Sequence, residues 1–455
     1  MKVIVTGATG FVGRELVKRL NQKGYEILVL TRNPDTARLK IPVHCTIQAW
    51  NPEKESLPVG LLTGVDAIIN LAGEGIADGR WSATRKRKII ESRVLAVRRL
   101  VEAMAETDDR PEVLVSASAI GFYGDRGDEF LDETSAKGEG FLSDVCQSWE
   151  DEILKARELG VRTVACRIGM VLGHDGGALA KMLAPFKLGV GGNLASGIQW
   201  MSWIHVSDLV DVLIHSIENP AMDGIYNAVS PNWVRNETFT KTLGKILKRP
   251  TLLPIPRPIL KIALGELSEL LLASQRVNAN KLTETGFQFQ YPQIVDALNE
   301  VCDHKYHELE LQQWVPQPIE KTFEFFKEAK NLEKLTPEFL KFKVLKQSTA
   351  SLQEGTKINY RLSLHGFPIH WQSKIIGWQP DHKFSDVQVK GPYGYWHHTH
   401  EFEKKNGGTL IKDRILYRAP FGIAGDLLAE NFIRKDLEAI FNYRCKAVEV
   451  ELGFA

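Results

Sequence analysis

Gly7-Ala8-Thr9-Gly10-Phe11-Val12-Gly13 spaces its glycines as GxxGxxG between the apolar run Val3-Ile4-Val5 and an amphipathic stretch. Each glycine has a separate physical task. One allows a tight turn, one lets backbone N–H groups approach a pyrophosphate, and one lets the next helix pack close to the strand. A helix N-terminus adds unpaired donors and partial positive charge. Gly7, Thr9, Gly10, Phe11, Val12 and Gly13 are therefore expected to cradle a dinucleotide. A second signal follows the next apolar run, residues 27–31, where Arg32 stands. Sites selective for NAD carry Asp or Glu there, to accept from the ribose 2′-OH. A guanidinium suits the 2′-phosphate of NADP instead, so NADP(H) is the expected cofactor, with no carboxylate expected beside Arg32.

Other residues invite chemistry in their own right. Glu74 follows the run 67–71, at the sheet edge where ligands bind in α/β folds. Arg93 borders the apolar stripe of a helix beside Ile89, Val97 and Leu100. It needs a partner there, whether a carboxylate, the substrate or the cofactor. Arg85-Lys86-Arg87-Lys88 reads as a solvated helix face rather than a nucleic-acid patch. Cys146 reads as small core filler. In Trp396-His397-His398-Thr399-His400, a strand would put His398 and His400 on one face. No third ligand lies nearby in sequence, so no metal is expected and hydrogen bonding at a ligand cavity is.

These residues need elements to position them. A chain of 455 residues implies two or three domains. Residues 3–6, 27–31, 67–71, 113–116 and 163–167 read as strands, separated by helical segments, which means a parallel sheet covered on both faces. Residues 14–23 read as the first helix. The helix 84–106 is expected to bury Ile90, Val94, Val97, Val101 and Met104. A small, mostly helical lobe should occupy about residues 235–300. The period changes after residue 302: Ile358, Tyr360, Leu362 and Leu364 alternate with polar residues, and Asn406-Gly407-Gly408 marks a hairpin. A final helix, about residues 425–449, carries Leu428, Phe432, Leu437, Ile440 and Phe441 on one side. The expected domains are 1–300 and 303–455, the second α+β. Five scattered cysteines without a CxxC pair indicate a reducing compartment. A strand starting at residue 2 leaves no room for a signal peptide, so the cytoplasm is expected. The net charge of +1 gives no pull toward nucleic acid. Residues 259–273, the longest apolar stretch, carry Lys261, Glu266 and Glu269, which argues against a membrane span.

GATGFVG, Asn70-Leu71-Ala72-Gly73, Ser116-Ala117-Ser118 and Trp203-Ile204-His205-Val206-Ser207-Asp208 together resemble the extended short-chain dehydrogenase/reductase superfamily. An epimerase-like subfamily matches more narrowly, through Gly73-Glu74 to Trp81, Glu91-Ser92-Arg93, and Leu264-Gly265-Glu266 to Gly286-Phe287. The resemblance covers about residues 1–300. It implies a Rossmann-type doubly wound sheet, cofactor contacts from Leu71, Ala72, Gly73 and Ser116, and a triad serine at Ser118. The superfamily's Tyr-xxx-Lys pair falls on Leu142 and Cys146, neither of which can move a proton. Tyr123 and Glu74 are then the candidate replacements beside Ser118, and Arg93 a contact to substrate or cofactor. Residues 305–455 resemble the START-like, polyketide-cyclase-like ligand-binding domains. The matching stretches are 316–323, 331–337, Phe384-Ser385-Asp386-Val387-Gln388 and Gly391-Pro392-Tyr393 to Phe402. That resemblance implies a helix-grip fold around an apolar ligand. The joint expectation is an NADP(H)-dependent oxidoreductase or epimerase-like protein acting on a small molecule. The alternative is a non-catalytic NADP(H)-responsive binding protein.

Overall fold

The computed structural model describes residues 1–174, 176–303, 306–420 and 422–453, without the side chains of 422–424 and 426–431. Its described residues divide into two compact units, one of residues 1–37 and 45–303, the other of 38–44 and 304–455.

Unit 1 is built on a parallel sheet. Its strands are β1 (Lys2–Thr6), β2 (Glu26–Thr31), β3 (Thr46–Ala49), β4 (Ala67–Asn70), β5 (Val113–Ala119), β6 (Arg162–Ile168) and β7 (Gly224–Ala228). The spatial order is β7-β6-β5-β4-β1-β2-β3, and every pairing is parallel. The order reverses between β1 and β4, and ligands of open α/β sheets bind outside the carboxyl ends of strands at such a switch point. All four residues of β4 are buried, as expected of a strand covered on both faces. β3 and β7 escape a sequence reading for physical reasons. β3 is a short edge strand, Thr-Ile-Gln-Ala, with three positions exposed. β7, Gly-Ile-Tyr-Asn-Ala, carries turn-type residues yet buries its asparagine fully.

The helices depart from expectation in detail. Helix α1 spans Phe11–Gln22, so it starts three residues before the expected Arg14, with Gly13 inside its first turn. The Arg14 N–H already donates to the Gly10 carbonyl at 3.0 Å. Helix α2 is Pro34–Lys40 and α3 is Ala83–Ala105, capped by Ser82, which accepts from the Arg85 N–H. The buried side of α3 is Ile89, Ala96, Val97, Leu100, Ala103 and Met104. Ile90, Val94 and Val101 are only half-buried, so the stripe lies rotated by about one residue from the expected one. Arg85 and Lys86 are not merely solvated, because Arg85 pairs with Glu74 and Lys86 with Glu266. The lobe carries helices Asn236–Leu247, Arg257–Leu264, Ser268–Leu272, Asn280–Glu284 and Ile294–Cys302. Phe239, Leu243, Leu298 and Val301 of this lobe share a core with Leu172, Leu179 and Trp203.

Unit 2 is a seven-stranded antiparallel sheet with a long helix. Its strands are β8 (His307–Val315), β9 (Lys343–Gln347), β10 (Lys357–Leu364), β11 (Phe367–Gln379), β12 (Lys383–Lys390), β13 (Tyr395–Lys405) and β14 (Gly408–Arg418), in the order β8-β14-β13-β12-β11-β10-β9. The turn between β13 and β14 has Asn406 at φ +49 and Gly407 at φ +76. Two successive positive φ values are what a tight, right-twisting hairpin requires. In β10, Ile358 and Tyr360 are buried, while Leu362 and Leu364 are half-buried toward its end. The last helix, Gly422–Leu452, buries Leu437, Phe441, Val448 and Leu452 in the core that includes Trp371, Phe384 and Ile415. Phe432, expected on that buried side, is 52% exposed, and the side chain of Leu428 lies outside the described residues. Among the described residues, no helix is long and apolar enough to cross a membrane.

Candidate functional site

The glycine turn leaves β1 beside the loop that follows β4. Gly7 has φ +70, and a Cβ there would lie 2.5 Å from the Leu71 carbonyl carbon and oxygen. At Gly13 a Cβ would meet the Gly7 oxygen at 2.2 Å. Both positions exclude any side chain, and Gly10, at 3.2 Å from the same oxygen, is tight. Gly10 caps α1 with no side-chain hydrogen bond, so the first-turn N–H groups are left for a ligand. Thr9, Phe11 and Val12 are half-buried around this opening. The Phe11 ring fills the space over Gly173 and Gly176, where a Cβ would come within 2.4 and 2.6 Å of it. The cradle thus fits a dinucleotide pyrophosphate. Leu71 is tied to β1 through its N–H and the Thr6 carbonyl, Leu71 and Ala72 lie against Gly7, and Gly73 follows against the Arg93 side chain.

Ser116, expected as a cofactor contact, is hydrogen-bonded to Asn70. Its side chain is fully buried and accepts from Asn70 Nδ2 at 2.9 Å, while Thr6 Oγ1 donates to Asn70 Oδ1 at 2.6 Å. This chain of polar groups ties β1, β4 and β5 together beneath the opening. Arg32 lies at the end of β2, 61% exposed, as a 2′-phosphate contact requires. A carboxylate is nevertheless present, because Glu53 stands 3.9 Å from its NH1. The expectation of an acid-free site is corrected on this point, since the loop after β3 brings back a residue distant in sequence.

Ser118 and Tyr123 are both buried and hydrogen-bonded within one cluster. Ser118 Oγ donates to Glu150 Oε1 at 2.6 Å, and Arg167 grips both Glu150 oxygens, at 2.9 and 2.7 Å. Arg167 NH1 donates to the Tyr123 hydroxyl at 3.0 Å, and that hydroxyl lies 2.7 Å from Asn227 Oδ1 and 2.9 Å from the Asp132 carbonyl. Each of the five side-chain partners is at most 2% exposed. Burial pushes the Tyr123 phenol up to about 12, although Arg167 opposes the shift. Ser118 and Tyr123, expected as catalytic groups, thus both take part in a buried polar clamp joining β5, β6, β7 and the helix α4 (Phe141–Leu154). α4 contains neither tyrosine nor lysine. Its Leu142 and Cys146 lie against Gly121, where a Cβ would meet them at 3.3 and 3.7 Å. Burial and the nearby Glu150 raise the Cys146 thiol to about 12, which makes it a poor nucleophile.

Glu74 and Arg93 do meet at the loop after β4. Arg93 NH2 donates to the Glu74 carbonyl at 3.0 Å, and NH1 donates to the Ile89 carbonyl at 3.0 Å. Its guanidinium lies over the Trp149 ring, 5.2 Å from the centroid. The partner that burial demands is thus backbone and an aromatic face rather than a carboxylate, and burial lowers the Arg93 pKa. The Glu74 carboxylate instead accepts from Arg85 NH1 at 2.7 Å, half-exposed.

Unit 2 holds a cavity of about 160 Å³ walled by groups such as Phe326, Leu335, Ile358, Trp371 and Phe441. One side of it is polar: Asp386, His398, His400 and Arg444. Behind them, Asp413 Oδ1 lies 2.9 Å from His398 Nε2 and 2.5 Å from His400 Nδ1. Burial opposes charge on His398, but its bonds to Asp386 and Asp413 raise its pKa above the ordinary value. Burial and the neighbouring His398 push His400 down to about 4. The same-face placement of the two histidines was legible from strand alternation. Asp386, Asp413 and Arg444 were not, because only strand pairing and helix packing bring them there.

A doubly wound sheet with this turn at its switch point defines a dinucleotide-binding α/β protein. A profile of the NAD dependent epimerase/dehydratase family matches residues 3–229, and one for a domain of unknown function, DUF1731, matches residues 255–301. The chain is 41% identical over 303 residues to a chloroplastic homologue of epimerase family protein SDR39U1 from Arabidopsis thaliana, covering 66% of this chain and 86% of that one. It is 36% identical over 307 residues to epimerase family protein YfhF of Bacillus subtilis, covering 67% and 99%. The crystal structure of human epimerase family protein SDR39U1 with NADPH superposes with a TM-score of 0.60 at 32% identity, over 67% of this chain and all of that one. The chain belongs to the NAD dependent epimerase/dehydratase family.

Proposed function

We propose that unit 1 binds NADP(H) at the carboxyl end of β1 and acts on a small molecule, as an oxidoreductase or as an epimerase working through transient oxidation. The observation that carries this reading is the cradle: two glycines where no Cβ fits, opening onto a helix start without a side-chain cap. The NADPH in the human relative's crystal structure supports it. Arg32 is the contact for the 2′-phosphate. Its exposed pairing with Glu53 is worth about 0–1 kcal/mol, against about 1.5–3 kcal/mol for a charge-assisted phosphate contact, so the phosphate displaces it. Glu74, held by Arg85 and half-exposed, is the acid–base group of this reading, with Arg93 fixing the backbone it springs from.

Calorimetric titration with NADPH and NADH tests the cofactor. Tighter binding of NADPH, lost in Arg32→Ala, supports the reading; equal affinities in the wild-type protein contradict it. A second reading, an NADP(H)-responsive binding protein without turnover, is favoured by the locking of Ser118 and Tyr123 into the buried clamp. Two incubations with an extract of host metabolites separate the two: label passing from C4-deuterated NADPH into a metabolite, or NADPH absorbance appearing on NADP+-loaded protein as an epimerase oxidises its substrate, supports an enzyme, and the absence of both signals supports the binding protein.

For unit 2 we propose a START-like domain, on the ground that its antiparallel sheet and terminal helix share one apolar core around the cavity. Its occupant is an apolar small molecule. The five cysteines, none in a disulfide, suit a reducing compartment such as the cytoplasm.

A further inference from the structure

We propose that the polar side of the unit 2 cavity is a binding site for a divalent transition metal of the zinc class. Its ligands are His398 Nδ1, His400 Nε2 and Asp386 Oδ2, and Asp413 orients both imidazoles from behind. The inference goes beyond an apolar-ligand domain and stands independently of the cofactor in unit 1.

The four residues are placed by strand register. Asp386 pairs with His398 across β12 and β13, and His400 pairs with Asp413 across β13 and β14. All four therefore stand side by side on one sheet face, on elements that hold them rigidly. One donor atom from each of Asp386, His398 and His400 lies within 4.8 Å of the others. His398 Nδ1 is 3.4 Å and His400 Nε2 is 3.9 Å from Asp386 Oδ2. Ligands bound at about 2.0–2.2 Å around a tetrahedral ion stand about 3.3–3.6 Å apart, so the two separations from Asp386 are already near those of a bound set.

The outer carboxylate is the more telling feature. The two ring nitrogens facing Asp413 are the opposite ones, His398 Nε2 and His400 Nδ1. In the tautomers that donate both N–H groups to Asp413, with Arg444 NH2 also 3.3 Å from His400 Nδ1, lone pairs remain on His398 Nδ1 and His400 Nε2, both turned toward Asp386. This is the carboxylate–histidine–metal arrangement that fixes tautomer and ring direction. Without a metal, one proton can bridge His398 to Asp386, but the His400 Nε2–Asp386 pair stays unbridged at 3.9 Å. A cation between the three satisfies them all.

The remaining coordination position faces the cavity, which these same three residues line. Three protein ligands with an open position are the pattern of a reactive rather than a purely structural zinc site. Arg444 NH2, 3.8 Å from Asp413 Oδ1, supplies further positive charge beside it. Two carboxylates, one guanidinium and a divalent ion leave a single positive charge. The open position therefore suits an anionic oxygen, carboxylate or hydroxide, at the head of an apolar molecule.

Metal-stripped full-length protein is titrated with Co²⁺ and followed by its visible d–d bands, then back-titrated with Zn²⁺. One equivalent per chain with tetrahedral-type intensity is expected, displaced by zinc. His398→Ala and His400→Ala should each abolish the bands, and Asp413→Asn should weaken binding by about 10–100-fold. A titration that gives no bands, or one unchanged by either histidine substitution, overturns the proposal. X-ray absorption of the cobalt-loaded wild-type protein needs no variant. Two imidazoles with oxygen donors support the site; sulfur ligands or oxygen alone overturn it.

Discussion

Replacing Arg167 with Met should strand the Glu150 carboxylate, 2% exposed, with the Ser118 hydroxyl as its remaining hydrogen-bond partner in the clamp. Two charge-assisted hydrogen bonds, at 2.9 and 2.7 Å, disappear together with the cation over the Phe122 ring. Removing one partner of a buried ion pair costs about 3–5 kcal/mol. Against the total stability of about 5–15 kcal/mol typical of a folded domain, that is a large fraction. Glu150→Leu should cost a comparable amount, since it leaves the guanidinium buried and unpaired. The double variant should recover most of the loss, to within about 1–2 kcal/mol of the wild-type protein, because neither charge then remains to be buried. Urea denaturation of the full chain, read through the hydrogen-exchange protection of peptides from β5 and β6, isolates this unit. Single substitutions that each cost under about 1 kcal/mol, or costs that simply add in the double variant, would refute the clamp.

Tyr123→Phe should lower stability by about 1–3 kcal/mol, by leaving Asn227 Oδ1 without the hydroxyl that donates to it, and leave NADPH affinity unchanged by calorimetry. A large loss of affinity would return Tyr123 to the cofactor site. Glu53→Gln should tighten NADPH binding by about two- to fivefold, at low salt only, because it frees an exposed Arg32; a weakened affinity would contradict the placement of the phosphate. Burial raises all five thiols above their ordinary value of 9.0, Cys302 to about 11 and Cys45, Cys146, Cys166 and Cys445 to about 12. Each thiol's folded pKa lies above its unfolded one, so the unfolded chain releases protons first and stability is lost as pH rises from about 9 toward 12. At neutral pH a thiol reagent should label the native protein at least about a hundredfold more slowly than the urea-unfolded chain; one rapidly labelled cysteine would disprove this.

Much of unit 1 is legible locally. The glycine spacing and the apolar runs each report on backbone within a few residues. The helix α3 stripe was misplaced by about one residue because Ile90, Val94 and Val101 are apolar but only half-buried, a choice made by packing. The contacts of Ser118 and Tyr123 could not be read from their positions in and just after β5. What decides them is Arg167 on β6 and Glu150 on α4, a pair invisible until the strands are assembled. The same holds in unit 2, where His398 and His400 share a face by simple alternation, but Asp386 and Asp413 arrive through strand pairing from either side.

The most direct test of the account is a crystal structure of the full chain with NADPH. The account predicts the pyrophosphate against the N–H groups of the first turn of α1, at Phe11 and Val12, and the 2′-phosphate within ion-pair distance of Arg32. It also predicts Ser118 and Tyr123 still bonded to Glu150 and Arg167. A nucleotide bound elsewhere, or a Tyr123 hydroxyl released from Arg167 to reach the nicotinamide, would contradict it.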